Sequence, residues 1–135
     1  SGLGPRWDYQ TQKRRILTFA LDGEQSLPKF KKTTLPLTDI PDFIINENLA
    51  VIGQELYHRS CIACHGPALL ADGAAPNLLH SQITGSLEAM IQILHDGILL
   101  KRGMPPYPEL SIKEIESLQH YIRKSIREEI SRQSS

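Results

Sequence analysis

Nine prolines, at positions 5, 28, 36, 41, 67, 76, 105, 106 and 108, decide where this 135-residue chain can be helical. Proline has no amide hydrogen to give and its ring collides with the preceding turn, so helices must fit the intervals that prolines leave. Three of those intervals, residues 46–60, 86–96 and 111–130, also show helical spacing of apolar residues. In the first, Leu49, Ile52, Gly53, Leu56 and Tyr57 share a face, and Asn46 is placed to cap the free amides of the first turn. The second begins after Ser86 with Leu87, Met90, Ile91 and Leu94 along one side, and Gly97 follows as a left-handed cap. The third opens with a capping box, Ser111 with Glu114, and a hydrophobic staple of Leu110 on Ile115. Behind that cap Ile115, Leu118, Ile122 and Ile126 recur at helical spacing with Tyr121 beside them.

The spacing therefore predicts a mostly α chain with three main helices. Residues 1–45 read differently. Arg15 to Leu21 is rich in β-formers and ends in Asp22-Gly23, which predicts a strand and a turn. Ser26 to Pro41 holds three prolines and three lysines among scattered apolar residues, an extended linker. The expected organisation is a strand segment over 1–25, a linker over 26–45 and a helical domain over 46–135. The chain opens on Ser1-Gly2 with no Met and no charged-then-apolar leader, as expected of a processed protein or a piece of a longer one.

Basic and acidic residues balance at 15 each, and no basic tail points to nucleic acid. The longest apolar runs, Ile98–Leu100 and Ala68–Ala71, fall far short of the roughly 20 residues of a membrane-spanning helix. Hydrophobic residues are 40% of the chain but aromatic ones only 6%, so aliphatic side chains are plentiful while large rings to fill a core are scarce. A bound group is expected to take their place.

Cys61-Ile62-Ala63-Cys64-His65 supplies one. C-x-x-C-H is the attachment sequence of covalent haem. Two intervening residues let both thiols reach the vinyl groups of one porphyrin edge, and the adjacent histidine is carried beneath the iron. The rival readings are a zinc half-site or a redox dithiol. Structural zinc wants four ligands and a second paired motif, yet His58, His80, His95 and His120 stand isolated in the sequence. A thioredoxin-like dithiol wants a βαβ context, and here the motif follows a helix. Thioether formation requires reduced thiols to meet haem outside the bacterial cytosol, which predicts the periplasm.

A second axial ligand decides whether such an iron exchanges electrons or binds small molecules. Met90 falls on the apolar face of the second helix and reads as core. Met104 lies in Arg102-Gly103-Met104-Pro105-Pro106-Tyr107, where two prolines hold the chain extended and present the thioether from a stiff loop. Met104 is the expected ligand; none of the isolated histidines is assigned. His65 should donate its other ring hydrogen to a backbone carbonyl, and Pro76 in Ala75-Pro76-Asn77-Leu78 is placed to accept it.

Together these features resemble a class I cytochrome c: a helix with Gly53 and Tyr57, C-x-x-C-H-G at 61–66, Pro-Asn-Leu at 76–78, G-M-P-P at 103–106 and a C-terminal amphipathic helix. The resemblance implies that the first and last helices cross at Gly53 near Leu118 and Tyr121. It also implies that Pro76 bonds the proximal His65 and that Met104 is the distal ligand. Trp7-Asp8-Tyr9-Gln10, Arg14-Arg15-Ile16-Leu17-Thr18-Phe19 and Leu27-Pro28 resemble the end of the propeller in quinohaemoprotein alcohol dehydrogenases, where a linker and a C-terminal cytochrome c follow.

That resemblance implies a non-catalytic electron-transfer domain of an oxidoreductase. One haem c, held by Cys61, Cys64, His65, Pro76 and Met104, would take electrons from a pyrroloquinoline quinone dehydrogenase domain. It would pass them to a periplasmic cytochrome, blue-copper protein or oxidase. Lys101, Arg102 and Arg59 lie near the haem-bearing segments and are candidates for docking. The alternatives are a free-standing cytochrome c carrier and a ligand-binding or peroxidase-type haem protein with an open sixth site, in which Met104 does not coordinate.

Overall fold

A computed structural model describes residues 36–71 and 75–135, and residues 16, 18, 20–24 and 26 of the preceding segment. The chain is mostly α-helical, with α1 over Glu47–Ser60, α2 over Ile62–His65, α3 over Leu87–Leu94 and α4 over Ile112–Gln133. Single turns of tighter helix at Pro67–Leu69, Leu78–His80, Ile83–Gly85 and Leu100–Arg102 join them.

The helix starts follow their caps. Asn46 accepts from the Leu49 amide, Ser86 from Ala89, and Ser111 and Glu114 bond reciprocally as a capping box. Each satisfies amides that have no partner within the helix. α3 ends at Leu94, and Gly97 stands beyond it in the left-handed region at φ +69. No strand occurs among the described residues. Arg15, Leu17 and Phe19 of the Arg15–Leu21 segment lie outside them; at its end a turn forms in which the Gly23 amide donates to the Ala20 carbonyl at 3.2 Å.

The core forms where α1 crosses α4. Leu56, Tyr57, Leu69, Leu79, Met90, Leu94, Leu110, Ile115, Leu118, Ile122 and Ile126 are all buried there. The face that α1 buries is shifted from the one its spacing predicts: Ala50 is buried, whereas Ile52 is 45% exposed. The cause is Gly53. A Cβ there would overlap the Ser117 carbonyl and come within 2.9 Å of the Leu118 amide, so the two backbones touch at Gly53 and turn Ile52 outward.

Residues 36–45 lie along α4 rather than hanging free of it. Arg127 Nη2 donates to the Ile40 and Phe43 carbonyls at 3.0 Å each, and its Nε reaches the Asp39 carboxylate at 3.0 Å. Buried Arg123 adds a bond to the Thr38 carbonyl at 3.1 Å, and His120 Nδ1 accepts the Asn46 amide. Ile40 in turn packs onto Gly85, where a Cβ would collide with its side chain.

Candidate functional site

In the Cys61–His65 pentapeptide Cys61 caps the short helix α2 directly after the end of α1: the Cys61 amide donates to the Tyr57 carbonyl and the His65 amide to the Cys61 carbonyl. One helical turn places Cys61, Cys64 and His65 on the wall of a single cavity. Gly66 ends the turn at φ +73, where a Cβ would collide with the Leu70 carbonyl. The next residues are strained, since Ala68 and Leu69 also take positive φ, at 54 and 63. Tyr57 holds this loop: its hydroxyl donates to the Gly66 carbonyl at 2.6 Å.

His65 is buried, and its Nδ1 donates to the Pro76 carbonyl at 3.1 Å. A carbonyl oxygen can only accept, so the proton sits on Nδ1 and the Nε2 lone pair is left available to a metal. Burial lowers the ring's pKa, with the Pro76 bond opposing, which favours the neutral imidazole that a ligand must be. Asn77 closes the same loop by accepting the Ala71 amide at 2.7 Å.

Burial, with the neighbouring Cys64 charge, pushes the Cys61 thiol up to about 11. Redox dithiols work by the opposite shift, towards thiolate. Among the described residues no three His, Cys, Asp or Glu side chains are grouped as a metal-ion site.

The cavity measures about 370 Å³, within the roughly 300–1,000 Å³ of small-molecule and cofactor sites. Leu78, Ile83, Ile93, Leu94, Leu99, Leu118 and Ile122 line it. Gln119, buried on α4, fixes one wall by donating to the Thr84 carbonyl at 2.9 Å. All five residues singled out in the sequence, Cys61, Cys64, His65, Pro76 and Met104, border this one space. Met90 borders it too, while being 5% exposed within the core. The donor set fits a covalent haem: two thiols one helical turn apart, a neutral imidazole and two thioethers, around an apolar hollow.

The family described as cytochrome c oxidase, cbb3-type, subunit III matches residues 48–122, which hold all but the first residue of α1, the cavity and the first half of α4. The chain belongs to that family. The curated relatives of this chain are much longer proteins. Quinohemoprotein alcohol dehydrogenase ADH IIB of Pseudomonas putida is 30% identical over 118 residues, which cover 82% of this chain and 16% of the relative. The dehydrogenase subunit of alcohol dehydrogenase (quinone) from Gluconobacter oxydans is 28% identical over 116 residues, 84% of this chain and 15% of that one. Lupanine 17-hydroxylase [cytochrome c] of a Pseudomonas species is 32% identical over 117 residues, 80% of this chain and 15% of the relative. This cytochrome-family chain thus spans about one sixth of the length of the curated relatives it matches.

The structure also shows participants that sequence reading passed over. Tyr57 and Tyr107 line the cavity and hold the two ends of the attachment turn, Tyr107 by donating to the Ser60 carbonyl at 3.1 Å. Arg102, read from the sequence as a docking candidate, also borders the cavity. Helical spacing marks Tyr57 as inward-facing but not its bond to Gly66, and no local spacing marks Tyr107 or Arg102 as cavity residues; the Tyr107 bond spans 47 residues.

Proposed function

We propose that this chain is a cytochrome c domain that carries single electrons in the periplasm. In this reading one haem c would be held by thioethers to Cys61 and Cys64 and by the His65 imidazole and the Met104 thioether as iron ligands. Bound there, haem iron supplies a one-electron couple between its ferrous and ferric states. The residues would do the rest: Cys61 and Cys64 would supply the thiols for attachment, Pro76 fixes the His65 ring, and the aliphatic wall excludes water. Tyr57 and Asn77 keep the segment that follows His65 in place, through Gly66 and Ala71.

The observation that carries the reading is the convergence of Cys61, Cys64, His65 and Met104 on one apolar cavity, with the His65 proton committed to Pro76. Met104 on the cavity wall favours electron transfer over the alternative of an open sixth site. The relatives' names supply the context, two being quinone or quinohemoprotein dehydrogenases and one naming cytochrome c. The domain would therefore relay electrons from a pyrroloquinoline quinone dehydrogenase domain to an external acceptor, without oxidising alcohol itself. The folding unit would begin at about residue 36, because the Arg123 and Arg127 bonds make residues 38–43 part of it.

The test is a redox titration of the chain matured with haem in a bacterial periplasm. A reversible one-electron transition, with rapid re-oxidation by a small cytochrome or blue-copper protein, is expected. A reduced form that binds oxygen or turns over peroxide instead of exchanging electrons would overturn the reading.

A further inference from the structure

The loop that carries Met104 is fastened unequally at its two ends. On the N-terminal side Gly103 stands at φ +94 with nothing within 4 Å of where a Cβ would be; its amide donates to the Leu100 carbonyl at 3.0 Å and the Met104 amide to the Leu99 carbonyl at 3.3 Å, both within the single turn that precedes the loop. On the C-terminal side Tyr107 makes three bonds. Its amide donates to the Leu94 carbonyl at the end of α3 at 2.5 Å, and its carbonyl accepts the Leu110 amide at 3.0 Å. Its hydroxyl donates to the Ser60 carbonyl at 3.1 Å, immediately before Cys61.

Between Met104 and Tyr107 lie only Pro105 and Pro106, whose rings fix φ and keep the intervening backbone extended. A stiff two-residue arm transmits position, so the Met104 thioether is tied to the rest of the site through Tyr107, which is bonded to the end of α3 and to Ser60, whereas the Gly103 end is bonded only within its own turn. The phenol bond is the part of that anchor that ties the arm to the turn bearing Cys61, Cys64 and His65.

We propose that Tyr107 is a positioning residue for the distal ligand: its bond to the Ser60 carbonyl latches the Met104 loop to the haem-attachment turn and sets how readily Met104 leaves the iron. This rests on the haem reading with Met104 as ligand. For the latch to matter, the loop must swing about Gly103 when Met104 is displaced, breaking the Tyr107–Ser60 bond. An incoming ligand therefore competes against that bond, and its apparent affinity scales with the fraction of molecules in which the loop is open.

The experiment is a spectroscopic titration of the ferric, full-length, haem-loaded chain with imidazole. Four proteins are compared: the unsubstituted chain, Tyr107→Phe, Met104→Ala and Arg127→Ala. Tyr107→Phe keeps the ring and loses the one bond, so imidazole should bind about three- to tenfold more tightly, the value of a single hydrogen bond. Arg127→Ala breaks the remote contacts to residues 39–43; it should lower the melting temperature and leave imidazole affinity unchanged. Unaltered affinity in Tyr107→Phe, or an equal rise in Tyr107→Phe and Arg127→Ala, would overturn the latch. Failure of the underlying reading looks different: Met104→Ala would then bind imidazole no better than the unsubstituted chain, and the latch would fall with it.

Discussion

Gly53 and Ser117 bring two helix backbones into direct contact: a Cβ on Gly53 would occupy the space of the Ser117 carbonyl group. This contact fixes the crossing of α1 and α4, and through it the place of the Cys61–His65 turn that continues α1. Gly53→Ala should force the helices apart and cost about 3 kcal/mol or more. Denaturant unfolding of the haem-loaded chain checks this; an unchanged midpoint would mean the helices do not meet there.

The two methionines separate chemistry from packing. Met104→Ala should open the sixth position, admit carbon monoxide to the ferrous form and lower the reduction potential. Met90→Ala, at a core position 5% exposed, should cost about 2–5 kcal/mol and leave the ligand-field spectrum intact. Since both border the cavity, the reverse pattern would assign the ligand to Met90.

The Arg127 guanidinium, bonded to Asp39 from 33% exposure, holds the Asp39 carboxyl below its ordinary range, helped by the Ile40 amide and Arg123 against partial desolvation. A carboxylate whose folded pKa is depressed contributes stability above its unfolded value of about 3.9 and loses it as pH falls through the lower folded value. Asp39→Asn should therefore melt below the unsubstituted chain at neutral pH, and the gap should close as pH drops below about 4. Thermal melts across that range check it; a gap that widens in acid would reverse the assignment.

Truncation probes the same strap. A chain beginning at Pro36 should keep full stability, whereas one beginning at Asp42 loses Thr38, Asp39 and Ile40 and the bonds that Arg123 and Arg127 make to them. It should melt lower by about 1–3 kcal/mol of lost hydrogen bonding while keeping the same haem spectrum. Equal stability of the two would show that the strap contributes nothing.

The helices were legible in the sequence because their signals are local. Asn46, Ser86 and the Ser111–Glu114 box mark starts through bonds to amides three residues away, and Gly97 marks an end through its own φ. The C-x-x-C-H turn is equally local, which is why Cys61, Cys64 and His65 could be singled out from spacing. Pro76 and Met104 came from rigid proline loops. What spacing could not reveal joins distant residues: Arg127 to Asp39 across 88 positions, Tyr107 to Ser60 across 47, and Gln119 to Thr84 across 35. Ile52 shows the same limit on one helix. Its periodicity pointed inward, but a glycine contact one residue on rotated the buried face towards Ala50.

The central claim is that Cys61 and Cys64 hold haem covalently in this cavity. The most direct measurement is the intact mass of the periplasm-matured chain under denaturing conditions, taken beside the Cys61→Ala, Cys64→Ala double variant. The account predicts the chain mass plus one haem for the first, and the bare chain for the second, which should also lack cooperative melting because its core filler is missing. A bare chain mass from the unsubstituted protein, with any haem released on denaturation, would contradict it.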